Sequence, residues 1–357
     1  DEDVLISITR RGYIKRTPVS AYRLQQRGGK GLIGAGRREE DELDQLFAAG
    51  SLSTILFFSD RGKVYAEKAY SIPEYDRTAK GTSLMNVLPL MPEEKISVAL
   101  PVNDFDEAEY LTMVTRRGRI NRVVVGAFRN VRSSGLSAIN LDDDDELGWV
   151  KMTAGEQDLI VVSEQGQAIR FTEEEVRAMG RTAAGVYAMR LDEDDRLTGA
   201  DVVEPDHYLL LITERGFGKR TPLEEFRNQS RYGKGIKAIH LYPDLTGRLV
   251  SARVVAAGDE VTLISTNGLI LRTLVDNVSQ QGRYSRGVTV MNLGKDDTVA
   301  SVAVVREGRY SQPDRDEDVG QEGIDPTLAE QAIATALEAA ASATGLDDNT
   351  NGAAPGS

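Results

Sequence analysis

The chain reads as an all-β protein, a propeller-like ring of six four-stranded antiparallel blades. A unit of about 50 residues recurs six times, and each copy holds β-branched and apolar runs between turn signals. Convincing helical periodicity is scarce across these copies. Radial repetition hides most sheet edges and needs no helical crossovers, whereas a linear β-solenoid usually has shorter repeats. The blades are expected at roughly 3–50, 51–105, 106–155, 156–205, 206–257 and 258–310, within one domain spanning 1–310.

Each unit opens with an apolar strand, a tight turn and a second strand, as in Val4 to Arg16 around Gly12. The matching turn glycines are Gly62, Gly118, Gly166, Gly216 and Gly268. Dipeptides such as Arg117-Gly118 and Asn267-Gly268 mark hairpins in which glycine supplies φ > 0 without steric cost. A second glycine follows at Gly31, Gly81, Gly135, Gly185, Gly235 and Gly287, 19 residues on in five units and 17 in the third. A third strand is expected after it, as in Ala238–Leu241 or Val290–Leu293. An acidic turn then leads to a fourth strand, such as Leu249–Val255 or Val299–Val305.

Residues 311–357 differ from the repeats. Acids dominate from Asp314 to Asp325, and Asp325 with Pro326 fits the start of an alanine-rich helix ending near Ala341. The end, Asp347–Ser357, has a disordered composition, so the segment is expected to be a disordered acidic tail.

Composition excludes several chemistries. The sequence has no cysteine, which removes disulfides, thiol nucleophiles and thiolate metal sites. Its two histidines, His207 and His240, are too few for a histidine metal cluster. Glu173-Glu174-Glu175 and Asp142 to Asp145 read as acidic turns of solvated hairpins, and no metal site is expected. No window approaches 18 apolar residues. The chain begins Asp1-Glu2-Asp3 without Met or a signal-peptide pattern, so it is expected to be a piece of a longer cytoplasmic protein.

The formal net charge of −13 conceals a segregation of charge. From the first turn to the second glycine the six units carry net charges of +7, +1, +6, −1, +3 and +2. These stretches hold 30 of the 43 basic residues against 12 acids, and the rest of the chain carries −31. In a ring, equivalent repeat positions share a radius, so charge that is periodic in sequence becomes a positive belt in space. Such a belt suits a curved polyanion, since Lys and Arg neutralise phosphates without reading bases. Bending a duplex by 40–90° costs about 1–10 kcal/mol, which many phosphate contacts can offset. The candidate contacts are Arg10, Arg11, Lys15 and Arg16 in the first unit, and Arg77 and Lys80 in the second. The third offers Arg116, Arg117, Arg119, Arg122 and Arg132, and the fourth Arg181. Lys219, Arg220, Arg231 and Lys234 follow in the fifth, then Arg283 and Arg286 in the sixth.

Before Gly31 the sequence reads Gln25-Gln26-Arg27-Gly28-Gly29-Lys30-Gly31. Its glycines let backbone amides approach a phosphate, with Arg27 and Lys30 alongside. Degenerate copies precede the other second glycines, and arginine recurs at the third position as Arg77, Arg181, Arg231 and Arg283, displaced by one at Arg132. This loop resembles the gyrase-A box, with Gln26 where that motif usually carries Arg or Lys. The box, the six repeats and the acidic tail together resemble the C-terminal domain of the DNA gyrase A subunit, within the gyrase and topoisomerase IV family. The likeness covers about residues 3–310.

The resemblance implies a six-bladed β-pinwheel whose blades exchange strands, with duplex DNA wrapped around its rim in a positive sense. It implies a non-catalytic part of an A2B2 enzyme that introduces negative supercoils. The cleaving tyrosine would lie in the preceding domain of the same polypeptide. ATP and Mg2+ would be used elsewhere in the assembly, so no cofactor is expected in this chain. Tyr13, Tyr65 and Tyr187 then read as strand packing. The implied location is the bacterial cytoplasm, at the nucleoid. The nearest rival is the equivalent topoisomerase IV domain, which lacks an intact box. A protein-binding propeller without a DNA role is a more distant one, against which the belt argues.

Overall fold

A computed structural model of the chain describes residues 2–19, 43–76, 79–107 and 109–306. In the first repeat, β1 (Asp3–Thr9) and β2 (Tyr13–Pro18) form the hairpin and β3 (Leu43–Gly50) returns beside β1. The second has β4 (Thr54–Ser59), β5 (Lys63–Lys68), a short β6 (Thr82–Ser83) and β7 (Ile96–Val102). The third has β8 (Tyr110–Thr115), β9 (Arg119–Val124), β10 (Leu136–Ser137) and β11 (Leu147–Thr153). The fourth comprises β12 (Asp158–Ser163), β13 (Gln167–Thr172), β14 (Val186–Tyr187) and β15 (Leu197–Val202). Next come β16 (Tyr208–Thr213), β17 (Phe217–Pro222), β18 (Ile236–Lys237) and β19 (Leu249–Val255). The last has β20 (Glu260–Ser265), β21 (Ile270–Leu274), β22 (Val288–Thr289) and β23 (Val299–Val305).

The sheet orders show a strand exchange. They are β3-β1-β2-β6, β7-β4-β5-β10, β11-β8-β9-β14, β15-β12-β13-β18 and β19-β16-β17-β22. The outermost strand of each of these five antiparallel blades therefore comes from the next repeat. The sixth blade has the order β23-β20-β21 among the described residues. The innermost strands β3, β7, β11, β15, β19 and β23 touch in succession, and β23 meets β3 to close the ring.

Two expectations need correction. The exchanged strand spans two residues and directly follows the second glycine, as Ile236–Lys237 and Val288–Thr289 show. Ala238 and Ile239, expected to be strand, are instead buried in the core. The acidic turns are not wholly solvated either. Their last aspartates, Asp145, Asp195 and Asp297, are buried and accept the amides of Arg117, Gln165 and Asn267 at 2.9, 3.1 and 3.1 Å. Each anchors the adjoining hairpin, because a buried amide needs an acceptor.

The first strands of the repeats are continuous apolar runs because both of their faces are covered. Ile55 and Phe57 pack with Ile6 and Ile8 of the first blade, whereas Leu56 and Phe58 pack with Leu111 and Met113 of the third. The same alternation continues through Val161 against Val114, and Val162 against Leu211. Period-two side-chain geometry thus sends alternate residues into successive inter-blade cores. The turn glycines have the expected positive φ, from 74° at Gly62 to 87° at Gly118.

Candidate nucleic-acid interface

The basic stretch of each repeat runs from the hairpin turn, along the second strand, and over a crossover loop to the exchanged strand. Position within this path decides what each cation touches. At the turns, Arg10 donates from its guanidinium to the Ala300 carbonyl of β23 at 3.1 Å. Arg10, Arg11 and Arg116 line a central cavity of about 1040 Å³ bounded by the inner strands. Arg116 also lies over the Trp149 ring at 5.4 Å and pairs with Glu146 at 3.4 Å. These three lie on the hub side of the blades, and Arg10 and Arg11 are exposed there. Arg117 is exposed but donates to the Asp144 carbonyl at 3.2 Å.

Four residues after the turn glycine, arginine clasps the next repeat. Arg16 donates to the Ile72 carbonyl at 3.1 Å and pairs with Glu74 at 3.1 Å. Arg122 is buried, lies over Tyr110 at 4.5 Å, and reaches the Gly155 carbonyl at 3.2 Å and Glu173 at 3.5 Å. Arg220 donates to the Val278 carbonyl at 2.9 Å and pairs with Asp276 at 3.3 Å. Arg170, which sequence reasoning passed over, pairs with Asp158 at 2.8 Å and reaches the Leu223 carbonyl at 3.3 Å. The crossover loop lies over this position, with bridges from Arg16 to Glu74, Arg122 to Ala178 and Arg220 to Gln280. Arg16, Arg122, Arg170 and Arg220 thus clamp blade to blade.

One residue earlier, side chains reach under the next loop. Lys15 Nζ donates to the carbonyls of Ala79 at 2.8 Å and Asp76 at 3.3 Å. Lys219 is fully buried, and its Nζ donates to the carbonyls of Gly282, Arg283 and Ser285 at 2.6, 3.0 and 3.1 Å. Burial pushes the Lys219 ammonium down to about 8, Glu225 opposing and Arg283 adding to the shift. Lys219 is enclosed beneath the loop, whereas Lys15 remains half-exposed.

The outermost set comprises Lys80, Arg119, Arg132, Arg181, Arg231, Lys234, Arg283 and Arg286, on or beside the exchanged strands. Lys80, Arg132, Lys234 and Arg286 are exposed, and the other four are half-buried. Lys80 lies over the Tyr13 ring at 3.9 Å, Arg119 over Tyr187 at 4.1 Å and Arg286 over Phe217 at 5.8 Å. Arg119 also pairs with Asp142 at 2.9 Å, and Lys234 with Asp192 at 3.3 Å. The recurrent third-position arginines share one contact. Arg181, Arg231 and Arg283 donate to the carbonyls of Ser137, Tyr187 and Lys237, each the second residue of the exchanged strand one repeat earlier. A guanidinium has five N–H donors, so this tie uses only part of each fork. Gln25, Gln26, Arg27, Gly28, Gly29, Lys30, Gly31 and Arg77 lie outside the described residues, as does the tail.

Sequence reasoning missed the rim aromatics. Tyr187, read as strand packing, is 39% exposed and stacks on Tyr232 with ring centroids 5.6 Å apart. Tyr284 is 72% exposed, with the Arg283 guanidinium 5.0 Å from its ring centroid. A tyrosine directly after the third-position arginine, as in Arg231-Tyr232 and Arg283-Tyr284, was the available signal. Tyr65 does pack internally, donating its hydroxyl to Glu94 at 2.9 Å. The glutamate run also splits in function. Glu173 is fully buried and accepts the Gly155 and Gln157 amides at 2.8 and 2.9 Å, while Glu175 accepts the Arg231 amide at 2.8 Å.

A six-bladed propeller with exchanged outer strands and cations along its rim defines a class, and comparisons give the family. The family model described as the DNA gyrase C-terminal domain, a β-propeller, matches residues 3–49, 53–103, 109–151, 157–204, 207–256 and 259–306. The chain belongs to that family. It is 49% identical over 330 residues to the DNA gyrase A subunit of Halalkalibacterium halodurans, covering 92% of this chain and 39% of that protein. It is 43% identical over 321 residues to the corresponding protein of Clostridium acetobutylicum, covering 90% of this chain and 39% of that protein. The chain thus spans about two-fifths of the length of these relatives. A solved DNA gyrase A C-terminal domain matches with a TM-score of 0.66 at 28% identity, covering 85% of this chain and 99% of that one. The C-terminal domain of a DNA topoisomerase IV matches with a TM-score of 0.75 at 28% identity, covering 85% and 94%. Among the described residues no helix is long and apolar enough to cross a membrane.

Proposed function

We propose that this domain binds duplex DNA along its rim without base specificity and wraps it, giving a DNA gyrase its directional, ATP-dependent negative supercoiling. The supporting observation is the repetition of exposed or half-exposed cations beside the outermost strands of successive blades. Lys80, Arg132, Arg181, Arg231, Lys234, Arg283 and Arg286 occupy equivalent loops, and phosphates are recognised by charge at such spacing. In this reading the domain is non-catalytic. Its partners are duplex DNA and the rest of the gyrase, both the remainder of its own polypeptide and the B subunit, in an A2B2 assembly of the bacterial cytoplasm. ATP and Mg2+ act in those other parts.

The test is topological. This chain, relaxed plasmid and a nicking-closing enzyme should together give a linking change of the sign of a positive wrap, growing with protein concentration. DNA affinity should fall steeply with salt, with a log–log slope of about −0.9 per phosphate neutralised. No linking change, or a flat salt response, overturns the proposal.

The higher TM-score to the topoisomerase IV domain favours a second reading, in which the rim holds DNA for decatenation. The Gln25–Gly31 loop argues for the gyrase reading. In the intact enzyme, replacing Arg27 and Lys30 by Ala should abolish supercoiling and spare relaxation and cleavage. Equal loss of cleavage counts against wrapping.

A further inference from the structure

We infer that Lys219 is a positioning residue for DNA binding: held in the fifth repeat, it shapes the rim loop 281–287 of the sixth. The inference rests on the DNA reading above. Lys219 sits on β17, fully buried, and its ammonium gathers three loop carbonyls together with Ser285 Oγ at 3.2 Å. A trans peptide points its N–H opposite to its C=O. Turning the Arg283 and Ser285 carbonyls inward therefore turns the Tyr284 and Arg286 amides away from Lys219, on the side where those two residues are exposed. Those two amides and the Arg286 guanidinium offer donors suited to a phosphate, beside the Glu225 carboxylate that already accepts the Arg283 amide at 3.1 Å. The ammonium itself, saturated by oxygens beneath the loop, is not placed to reach one.

The same device recurs in alternate repeats. Lys15 holds the Asp76 and Ala79 carbonyls of the second repeat. Asn121, also fully buried, donates from Nδ2 to the carbonyls of Gly180 and Ala183 at 3.2 and 3.3 Å, under the loop of Arg181. The second, fourth and sixth repeats carry Tyr65, Ile169 and Leu271 at this position. A neutral amide thus does in the third repeat what an ammonium does in the fifth. Carbonyl capture, rather than charge delivered to DNA, is the shared function.

That equivalence supplies the rescue variant. In this chain, Lys219→Met should speed amide exchange across residues 282–286 at least tenfold and weaken binding to a random-sequence duplex at least threefold. Its salt slope should fall by about 1.8, the loss of two phosphate contacts from Arg283 and Arg286. Lys219→Gln should restore slow exchange, affinity and slope. If Lys219 instead touches phosphate, Met and Gln will both lower the slope by about 0.9 with loop exchange unchanged, which overturns the inference. Unchanged exchange in the Met variant overturns it too, as does a Gln variant as defective as Met. A wild-type chain that fails to bind DNA refutes the reading beneath, and is recognised separately because it needs no variant.

Discussion

Arg220 and Arg286 come from the basic stretches of neighbouring repeats, yet only Arg286 is exposed. Arg220 spends its guanidinium on the Val278 carbonyl and Asp276 and lies over Tyr208 at 4.6 Å. Arg220→Ala should cost about 1–3 kcal/mol in urea unfolding, because it strands acceptors in a blade junction, with the DNA salt slope nearly unchanged. Arg286→Ala should change stability by less than ~0.5 kcal/mol while lowering that slope by about 0.9. Lys219 adds a pH signature. Its folded-state value of about 8 lies below the ordinary 10.5, so the unfolded chain binds more protons between them. Stability contributed through this group is therefore lowest below pH 8 and rises toward 10.5. Urea unfolding of wild type and Lys219→Gln between pH 7.5 and 10 should show the difference moving in favour of wild type; a constant difference contradicts it. The recurrence of these cations was legible in the sequence. Their burial was not, because a repeat period says which positions are equivalent, not which of them a crossover loop will cover.

At the scale of the element, the exchanged strand is two residues long and depends on the glycine before it. Gly185 has φ +83°, and a Cβ there would sit 2.2 Å from the Ile120 carbonyl oxygen. The chain must pass this close for β14 to pair with β9, through Val186 against Ile120. Gly185→Ala should destabilise the domain by about 2 kcal/mol or more in urea unfolding, with the fastest new amide exchange at Val186 and Tyr187. An unperturbed midpoint would show that the close approach is dispensable. Hairpins and inner strands were readable from their apolar runs, and Leu249–Val255 matches its expected span. A two-residue strand lies below the resolution of any pattern argument, so Ala238–Leu241 drew the assignment instead. The inner strands hold one another by a different means. Lys151 on β11 pairs with buried Asp201 on β15 at 2.8 Å, and Asp201 accepts the Val254 amide of β19 at 3.1 Å. Burial alone would raise the Asp201 carboxyl, but Lys151, Arg253 and that amide outweigh it and hold it below the usual value of 3.8. Its stabilisation is complete above that value and lost as pH falls further. Asp201→Asn should therefore flatten the acid limb of the stability profile, read by urea unfolding from pH 5 to 3.

Across the whole molecule, the structure divides the basic residues among three radii. Arg10, Arg11 and Arg116 line the hub cavity, second-strand cations hold the blades together, and loop cations lie beside the exchanged strands. In the proposed reading, the loop cations among the described residues meet the duplex, and they are spread unevenly over the repeats. The fourth repeat, net −1 over its stretch, presents Arg181 with its guanidinium tied to Ser137 and has Ala183 and Ala184 where the fifth repeat has Gly233 and Lys234. The third presents Arg132, exposed, in a stretch without acids. The sixth presents Arg283 and Arg286 beside exposed Tyr284. On the proposed wrapping, DNA should therefore be gripped unevenly around the ring. Arg181→Ala should weaken DNA binding least, by under twofold at moderate salt, whereas Arg132→Ala and Arg286→Ala each remove a full phosphate contact and should cost several-fold. Protein-directed cleavage from reagents tethered to each loop should give its faintest DNA cuts from the fourth repeat. If the strongest cuts arise there, charge at the rim does not set the path of the duplex, and the backbone of the exchanged strands must be doing so.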